Sequence, residues 1–128
     1  RAFGSMFWIL LRIGAPMLKA PCSGSGTWRR NPEARWRLDE KELARLTEIQ
    51  SYLLDLAVKL VKPGGRIVYV TCSLLDEEGA GQFDAFLGRH SELRPKELTL
   101  PLGRPRGKGI RLSPFHDGTD GFFIACAE

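Results

Sequence analysis

The stretch Leu60–Ser73, LVKPGGRIVYVTCS, contains the end of a predicted helix, a turn and a predicted strand. Pro63, Gly64 and Gly65 do not continue a helix, so they end the one before them. The segment Arg66–Ser73 is rich in apolar and β-branched residues, which favours a buried strand. This strand is predicted to end at the Thr-Cys-Ser sequence, with a thiol at its carboxyl end.

The helix that ends at this turn is predicted to begin near Leu38. Asp39 suits the N-cap position, and Glu42 three residues later completes a capping-box pattern. The apolar residues recur mostly at steps of three and four, which places them in one stripe on a helix of about six turns. They are Leu43, Leu46, Ile49, Leu53, Leu56, Ala57 and Leu60.

A second helix is predicted after the strand, in the stretch 75–90. Its sequence places Asp76, Glu77 and Glu78 in the first turn, where the helix macrodipole favours negative charge. Its buried face is expected to consist of Phe83, Phe86 and Leu87.

Further strands are predicted on either side. Residues 6–13 form an unbroken apolar run, which favours a fully buried strand that ends at the following Gly-Ala-Pro sequence. The segments 109–115 and 121–127 are predicted as an antiparallel pair joined by the turn-rich HDGTDG. The stretch 19–38 is expected to be a loop, and 91–109 a Pro/Gly/basic connection. Strands that alternate with helices favour an α/β fold with a parallel sheet.

The composition fits one small globular domain. The 128 residues are 43% hydrophobic and 27% charged, and the sequence contains no internal repeat. The net charge of +4 fits either a solvated basic surface or a polyanionic partner such as nucleic acid. The basic residues form two groups in sequence: Arg29, Arg30, Arg35 and Arg37, then Arg104, Arg106, Lys108 and Arg111.

The three cysteines, an odd number, do not suit a disulfide framework and favour a reducing, cytoplasmic compartment. Cys126 lies in an apolar run and is expected in the core. The apolar stretch Met6–Leu18 is shorter than the roughly 20 residues that span a membrane, so no membrane association is expected. It also lacks a signal-peptide pattern. Because the chain begins with Arg1 rather than Met, we expect a fragment.

Cys22 and Cys72 each follow the carboxyl end of a predicted strand. In α/β sheets these ends meet at one edge, where functional loops lie, so the two thiols are expected near each other. They could be small packed residues, metal ligands, a redox pair, or a pair for covalent catalysis. The C-x₂-C spacing typical of zinc and redox sites is absent, and no metal is expected. The small residues around Cys22 provide little packing, which favours catalysis.

Three segments of the chain resemble a known family. They are APCSGSGTWRRNPEARWRL (20–38), LVKPGGRIVYVTCSLLDEEG (60–79) and IRLSPFHDGTDGFFIA (110–125). They are similar, in order, to segments of the RNA (cytosine-5) methyltransferases, the family of the bacterial 16S ribosomal RNA cytosine-5 methyltransferase B and its eukaryotic nucleolar relatives. The resemblance covers about residues 19–127. It implies the C-terminal half of a Rossmann-like, S-adenosylmethionine-dependent methyltransferase sheet that ends in an antiparallel strand pair.

The resemblance implies a role for each of the two thiols. Cys72 matches the family's nucleophile, which adds to C6 of a target cytosine before C5 takes a methyl group from S-adenosylmethionine. Cys22 matches the second cysteine, which assists removal of the C5 proton and release of the enzyme.

The resemblance also implies contacts with RNA, with ribosomal RNA as the expected partner. Ser23 and Gly24 would let the loop backbone approach a base lifted out of its stack. Arg29 and Arg30 would lie next to RNA phosphates, where arginine makes bidentate contacts.

The sequence departs from the family pattern at its start. Lys19 stands where the family has aspartate, and we expect residues 1–19 to be an aberrant or truncated segment. Residues 20–128 are then the C-terminal part of the catalytic domain. No glycine-rich strand-to-helix turn precedes Lys19, so the S-adenosylmethionine site is expected to be largely missing and to need an N-terminal half.

Two other classes of function are alternatives to the methyltransferase. An inactive RNA-binding remnant, or a non-catalytic relative of the same fold, is consistent with Lys19 and the missing cofactor half. A small thiol-containing interaction domain explains neither the Pro-Cys loop nor the Thr-Cys-Ser strand end. Retention of Cys22 and Cys72 favours descent from an active methyltransferase.

Overall fold

A computed structural model describes residues 8–10 and 16–128 of the chain. Its strands are β1 (Trp8–Leu10), β2 (Pro16–Lys19), β3 (Ile67–Thr71), β4 (Pro95–Lys96), β5 (Arg104–Arg106), β6 (Gly109–Leu112) and β7 (Phe122–Ala127). Its helices are α1 (Glu40–Leu60), α2 (Ala80–Arg89) and the short α3 (Pro114–Asp117). Two 3₁₀ turns, Ser25–Thr27 and Pro32–Arg37, lie in the segment between β2 and α1.

The described strands form one mixed sheet. Its order is β1-β2-β3-β7-β6-β5, and β4 pairs with β7 as well. β2 and β3 are parallel, with Lys19 opposite Val70, and the chain crosses between them through α1. The other described pairs are antiparallel, including β6 with β7. The predicted α/β fold and the closing antiparallel pair are confirmed.

Apolar faces of α1 and α2 cover this sheet and form the core. Tyr69 of β3 lies between the rings of Phe83 and Phe123, with centroid distances of 6.3 and 6.4 Å. The predicted buried face of the second helix is confirmed, and Cys126 is buried as expected. Further core residues are Leu18, Leu53, Leu54, Ala57, Ile67, Phe86, Leu87, Ala125 and Ala127.

The strand that leads into the Cys22 loop differs from the predicted one. The sequence predicts one strand over 6–13, whereas the structure has the short β1 and then β2, which begins at Pro16 and ends at Lys19. Proline has no N–H to donate to the hydrogen-bond ladder, but it is tolerated as the first residue of a strand. Residues 11–15, where the predicted strand ends, lie outside the described residues.

The second helix begins later than predicted. It starts at Ala80, so Asp76, Glu77 and Glu78 lie in turns before it and not in its first turn. Asp76 is held by the β5–β6 hairpin, where Arg111 donates to its carboxylate over 2.6 Å. Glu78 is buried and hydrogen-bonded to the loop that carries Cys22. These tertiary contacts outweigh the macrodipole preference that the sequence suggests.

The other two predicted loops contain regular structure. Two 3₁₀ turns occupy part of 19–38, and β4 and β5 lie within 91–109. Both strands are only two or three residues long and pair with β7 and β6. Elements this short carry no periodic signal in the sequence. Within the described residues, no helix is both long and apolar enough to cross a membrane.

Replacing Asp39 with alanine is expected to lower the free energy of unfolding by about 1 kcal/mol. The Asp39 carboxylate accepts a hydrogen bond from the Glu42 N–H at 2.7 Å and caps α1. The reciprocal capping-box bond is replaced, because the Glu42 side chain binds Arg45. Urea unfolding checks the prediction, with Glu48→Ala in the same helix as the control. An Asp39→Ala effect no larger than that of Glu48→Ala would contradict it.

Candidate active site

Cys22 and Cys72 lie in contact at the carboxyl edge of β2 and β3. Their Sγ atoms are 3.2 Å apart. Because β2 and β3 are parallel neighbours, the residues that follow each strand emerge side by side. Ala20 N–H donates to Val70 O at 3.1 Å and continues the ladder up to the thiols. The topology therefore brings together two thiols that are far apart in sequence.

The contact makes the two thiols chemically different. The hydrogen bond from Cys22 lowers the pKa of Cys72 to about 7, although burial opposes the shift. The same bond, followed by burial, raises the pKa of Cys22 well above its usual range. Near neutral pH about half of Cys72 is therefore a thiolate, which accepts a hydrogen bond from the Cys22 thiol. Since the thiolate is the nucleophilic form, Cys72 is the activated member.

A cavity of about 510 Å³ opens in front of this pair. One wall follows the end of β2 and the Cys22 loop, and the other follows the second 3₁₀ turn and the start of α1. Its lining residues are Lys19, Ala20, Pro21, Cys22, Ser23, Ala34, Arg37, Leu38, Glu42, Arg45, Leu46 and Cys72. The lining combines small apolar groups with the charged side chains of Lys19, Arg37, Glu42 and Arg45, and the last two form an ion pair.

The Cys22 loop is shaped by small residues in tight contact. Gly24 has a φ of +72°, which favours glycine. Gly26 is packed so closely that a Cβ would lie 2.1 Å from the carbonyl oxygen of Gly121. Ser25 is buried, and its hydroxyl lies 3.1 Å from that of Ser73. The loop is therefore a fixed frame for Cys22.

The structure gives Ser23 a partner inside the protein. Its N–H donates to Glu78 Oε2 at 2.8 Å, and its hydroxyl donates to Glu78 Oε1 at 2.5 Å. Gly24 follows Ser23 in the Cys22 loop. Contact of Ser23 and Gly24 with RNA stays a prediction.

Arg29 and Arg30 share one carboxylate. Arg29 Nε lies 3.2 Å from Asp120 Oδ1, and Arg30 Nη2 lies 2.8 Å from Asp120 Oδ2. Hydrogen bonding from Arg30 lowers the pKa of Asp120. Both arginine side chains are about half exposed, and each guanidinium has more donors than this contact uses. Asp120 joins both arginines to the β6–β7 connection. Their contact with RNA stays a prediction.

Sequence reasoning missed the two buried polar residues behind the thiols, Glu78 and Gln50. Both side chains are fully buried, and Gln50 Nε2 donates to Glu78 Oε2 at 3.0 Å. Glu78 lies in an acidic run that is typical of a solvated helix start, and Gln50 interrupts the apolar stripe of α1. That interruption is the one signal in the sequence for a polar group facing inward.

Lys19 lies at the end of β2, exposed at the rim of the cavity. Its positive charge contributes to lowering the pKa of Cys72, after the hydrogen bond from Cys22. The described part of the chain contains no group of three or more His, Cys, Asp or Glu that could hold a metal ion.

Replacing Lys19 with aspartate is expected to raise the pKa of Cys72 above about 7, because a positive charge is exchanged for a negative one. A rise of one pKa unit lowers the thiolate fraction at pH 7 about fivefold, and alkylation slows by the same factor. Iodoacetamide labelling across pH, resolved by peptide, measures the shift. Lys59→Asp, in the last turn of α1 and away from the thiols, makes the same charge change and is the matched control. A midpoint that does not move in Lys19→Asp would contradict the electrostatic role.

Comparison with known proteins places the chain among methyltransferases. The sequence model described as "16S rRNA methyltransferase RsmB/F" matches residues 12–127. The ribosomal RNA small subunit methyltransferase B of Thermus thermophilus is 43% identical over 110 residues, which cover 85% of this chain and 27% of that protein. A probable ribosomal RNA small subunit methyltransferase B of Synechocystis is 41% identical over 118 residues, covering 88% of this chain and 26% of that protein.

A solved structure shows the same fold. NSun6 from Pyrococcus horikoshii, determined with SFG, superposes with a TM-score of 0.76 at 28% identity. The match covers 88% of this chain and 29% of that one. The chain therefore spans about a quarter of the length of the relatives it matches.

Proposed function

This chain belongs to the 16S rRNA methyltransferase RsmB/F family, and from that premise we propose that it is the thiol-bearing part of an enzyme that methylates C5 of cytosine in ribosomal RNA. The observation that carries the proposal is the 3.2 Å contact between the Sγ atoms of Cys22 and Cys72. It supplies a thiolate and a thiol that both line one cavity. A base has to leave its stack to enter such a cavity.

The nucleophile in this proposal is Cys72. Its thiolate adds to C6 of the cytosine, so that an S–C6 bond forms and the π electrons of the C5–C6 double bond move toward C5. The electron-rich C5 could then attack an electrophilic methyl group, so that a C5–CH₃ bond forms while the sulfonium sulfur of the donor keeps the electrons of the broken S–CH₃ bond and leaves as a neutral thioether. With a pKa of about 7, Cys72 is about half ionised at neutral pH. A thiol of this pKa combines an available thiolate with good nucleophilicity.

The proposed role of Cys22 follows from the loss of charge on Cys72 that this addition causes. Once Cys72 is a thioether it carries no charge, so the largest cause of the raised pKa of Cys22 disappears. Cys22 can then release its proton to solvent and act as a base. After methylation it takes the proton from C5, the C5–C6 double bond re-forms and the S–C6 bond breaks. Cys72 leaves as the thiolate, and Cys22 is again the protonated donor.

S-adenosylmethionine is the methyl donor in this proposal, and the described residues do not fit a complete site for it. Gly64 and Gly65 form the turn before β3, at the end of the strand opposite the thiols. At the thiol edge, Lys19 occupies the end of β2, and the carboxylate that lines the cavity, Glu42, is ion-paired with Arg45. Residues beyond those described would have to complete a nucleotide site.

Arg29 and Arg30 are proposed to bind phosphates of the RNA. Both are half exposed and held by Asp120 close to the Cys22 loop. An RNA phosphate offers charge-assisted bonds to the guanidinium donors that Asp120 leaves free. With ribosomal RNA as substrate, we place the reaction in the cytoplasm. The division into residues 1–19 and the catalytic part 20–128 remains a prediction.

An RNA-binding protein without catalysis is the second candidate. Lys19 favours it, because this residue stands where the family has aspartate. The two candidates differ in their products, since only an enzyme forms 5-methylcytidine.

A chimera tests the proposed activity. Residues 16–128 would replace the homologous segment of the Thermus thermophilus enzyme, which supplies the rest of the protein. The chimera is expected to form 5-methylcytidine in unmodified 16S rRNA, as detected by nucleoside mass spectrometry. A folded chimera that binds S-adenosylmethionine and RNA but forms no 5-methylcytidine would contradict the proposal, provided that the parent enzyme is active.

A further inference from the structure

A buried carboxylate, that of Glu78, joins the two loops that carry the thiols. It accepts hydrogen bonds from Ser23 N–H at 2.8 Å and from the Ser23 hydroxyl at 2.5 Å. It also accepts from the Ser73 hydroxyl at 2.6 Å and from Gln50 Nε2 at 3.0 Å. Ser23 directly follows Cys22, and Ser73 directly follows Cys72. One side chain is therefore hydrogen-bonded to the residue that follows each of the two cysteines.

All four partners of the Glu78 carboxylate can donate a hydrogen bond to it. The backbone N–H and Gln50 Nε2 can only donate, and both serine hydroxyls can donate as well as accept. Four donors fill the acceptor sites of an ionised carboxylate. Within the described residues, Glu78 forms no ion pair with Lys, Arg or His. A buried anion balanced only by neutral donors is costly for a fold to keep.

Glu78 does not line the cavity in front of the thiols. It lies behind them, so it acts on the reaction through the groups that it holds. Gln50 strengthens this arrangement, because its Nε2 also donates to Pro21 O at 2.9 Å. The residues before and after Cys22 are thereby tied to the same buried cluster.

We propose that Glu78 is a positioning residue that holds the Cys22 and Cys72 sulfur atoms in contact. Its role in methylation rests on the proposed function, whereas its effect on thiol geometry does not. The interaction that activates Cys72 is the hydrogen bond from Cys22, which requires the two loops to keep their sulfur atoms in contact. Glu78 is hydrogen-bonded to both loops and fixes their relative position.

Two substitutions at this position are expected to shift the pKa of Cys72 in opposite directions. Glu78→Ala removes both the anchor and the charge. The hydrogen bond from Cys22 is the largest cause of the lowered pKa of Cys72 and the Glu78 charge the smallest of the causes, so weakening of the bond dominates and the pKa of Cys72 rises above about 7. Glu78→Gln keeps the shape, and its rotated amide can accept from Ser23 N–H and donate to the two hydroxyls. The contact then survives, and loss of the negative charge lowers the pKa of Cys72.

The experiment uses the chain itself and needs neither RNA nor S-adenosylmethionine. Peptide-resolved iodoacetamide labelling across pH gives the midpoint of the pH dependence of Cys72 alkylation. Oxidation by diamide reports the contact between the two thiols. Diamide oxidises two neighbouring thiols to a disulfide while its azo group is reduced to a hydrazine. We expect a raised midpoint and roughly tenfold slower Cys22–Cys72 disulfide formation in Glu78→Ala, because disulfide geometry is strict. Glu78→Gln is expected to form the disulfide at nearly the wild-type rate. Glu77→Ala, an exposed neighbour, is the matched control.

Folding of each variant is checked by circular dichroism. Ser23→Ala is a second, milder variant that tests the proposal if Glu78→Ala does not fold. Ser23→Ala removes one of the four donors and is expected to shift both readouts in the direction of Glu78→Ala, by a smaller amount. A folded Glu78→Ala, or Ser23→Ala if the former does not fold, with the wild-type midpoint and disulfide rate would overturn the proposal. In the chimera, Glu78→Ala is expected to lower kcat while KM for RNA is unchanged. A thiol effect without methylation by the unsubstituted chimera would instead count against the proposed function.

Discussion

Replacing Cys72 with alanine is expected to reduce methyl transfer by the chimera about 10³-fold or more, because the nucleophile is lost. The Cys22 thiol remains, but its Sγ is displaced by 3.2 Å from the position of the nucleophile. Its pKa would fall once the Cys72 thiolate is absent, so an ionised thiol in the wrong place does not restore the rate. Methyl incorporation into RNA under single-turnover conditions measures the effect.

Cys22→Ala is the variant to compare with Cys72→Ala, and it is expected to trap a covalent complex instead of preventing its formation. Cys72 can still add to the base, but removal of the C5 proton and release are slowed. The protein is therefore expected to accumulate as a covalent complex with RNA that survives a denaturing gel. Without the Cys22 donor, the pKa of Cys72 also rises, so addition slows at neutral pH and recovers in more alkaline buffer. The reverse pattern, with a stable complex in Cys72→Ala, would exchange the two roles.

Replacing Gly26 with alanine is expected to lower the free energy of unfolding by about 3 kcal/mol, at the upper part of the range for overpacking. The added Cβ would lie 2.1 Å from Gly121 O, and the atoms that it meets belong to the main chain. The two backbones are also joined by a hydrogen bond from Gly121 N–H to Gly26 O at 2.7 Å. Neither backbone can move without disturbing the thiols, because Gly26 N–H donates to Cys72 O at 3.0 Å.

Gly88→Ala is the control for this substitution. Gly88 is exposed within α2, and a Cβ there meets nothing within 4 Å. Alanine is expected to stabilise the protein by about 0.5–1 kcal/mol, because glycine loses more backbone entropy in a helix. Urea unfolding of both variants gives the comparison. Equal stability of Gly26→Ala and the wild type would mean that the close approach of the two loops is not a constraint.

The main elements of this fold could be predicted because each has a local signal. α1 has a stripe of apolar residues and an Asp39 cap, and β3 has a run of β-branched residues bounded by Pro-Gly-Gly. The parallel arrangement of β2 and β3 then follows from the alternation of strands and helices. This arrangement is enough to place Cys22 and Cys72 at one edge. The family resemblance adds their roles, which no spacing rule provides.

Other features depend on contacts between distant segments and have no local signal. Glu78 is typical of a solvated helix start in sequence, and only the fold shows that it lies under two loops. β2 was misplaced because Pro16 suggests the end of a strand, whereas it begins one. Asp120 lies between α3 and β7, and its pairing with Arg29 and Arg30 joins residues about 90 positions apart.

The central claim is that Cys72 is the residue that bonds to the base, and peptide mapping of a trapped complex tests it most directly. The chimera would be incubated with S-adenosylmethionine and RNA that contains 5-fluorocytosine, in which C5 carries no proton to remove. After trypsin and nuclease digestion, the nucleotide is expected on the peptide 67–89, attached through Cys72. Attachment to the peptide 20–29 through Cys22, or no complex with a chimera that methylates ordinary RNA, would contradict the account.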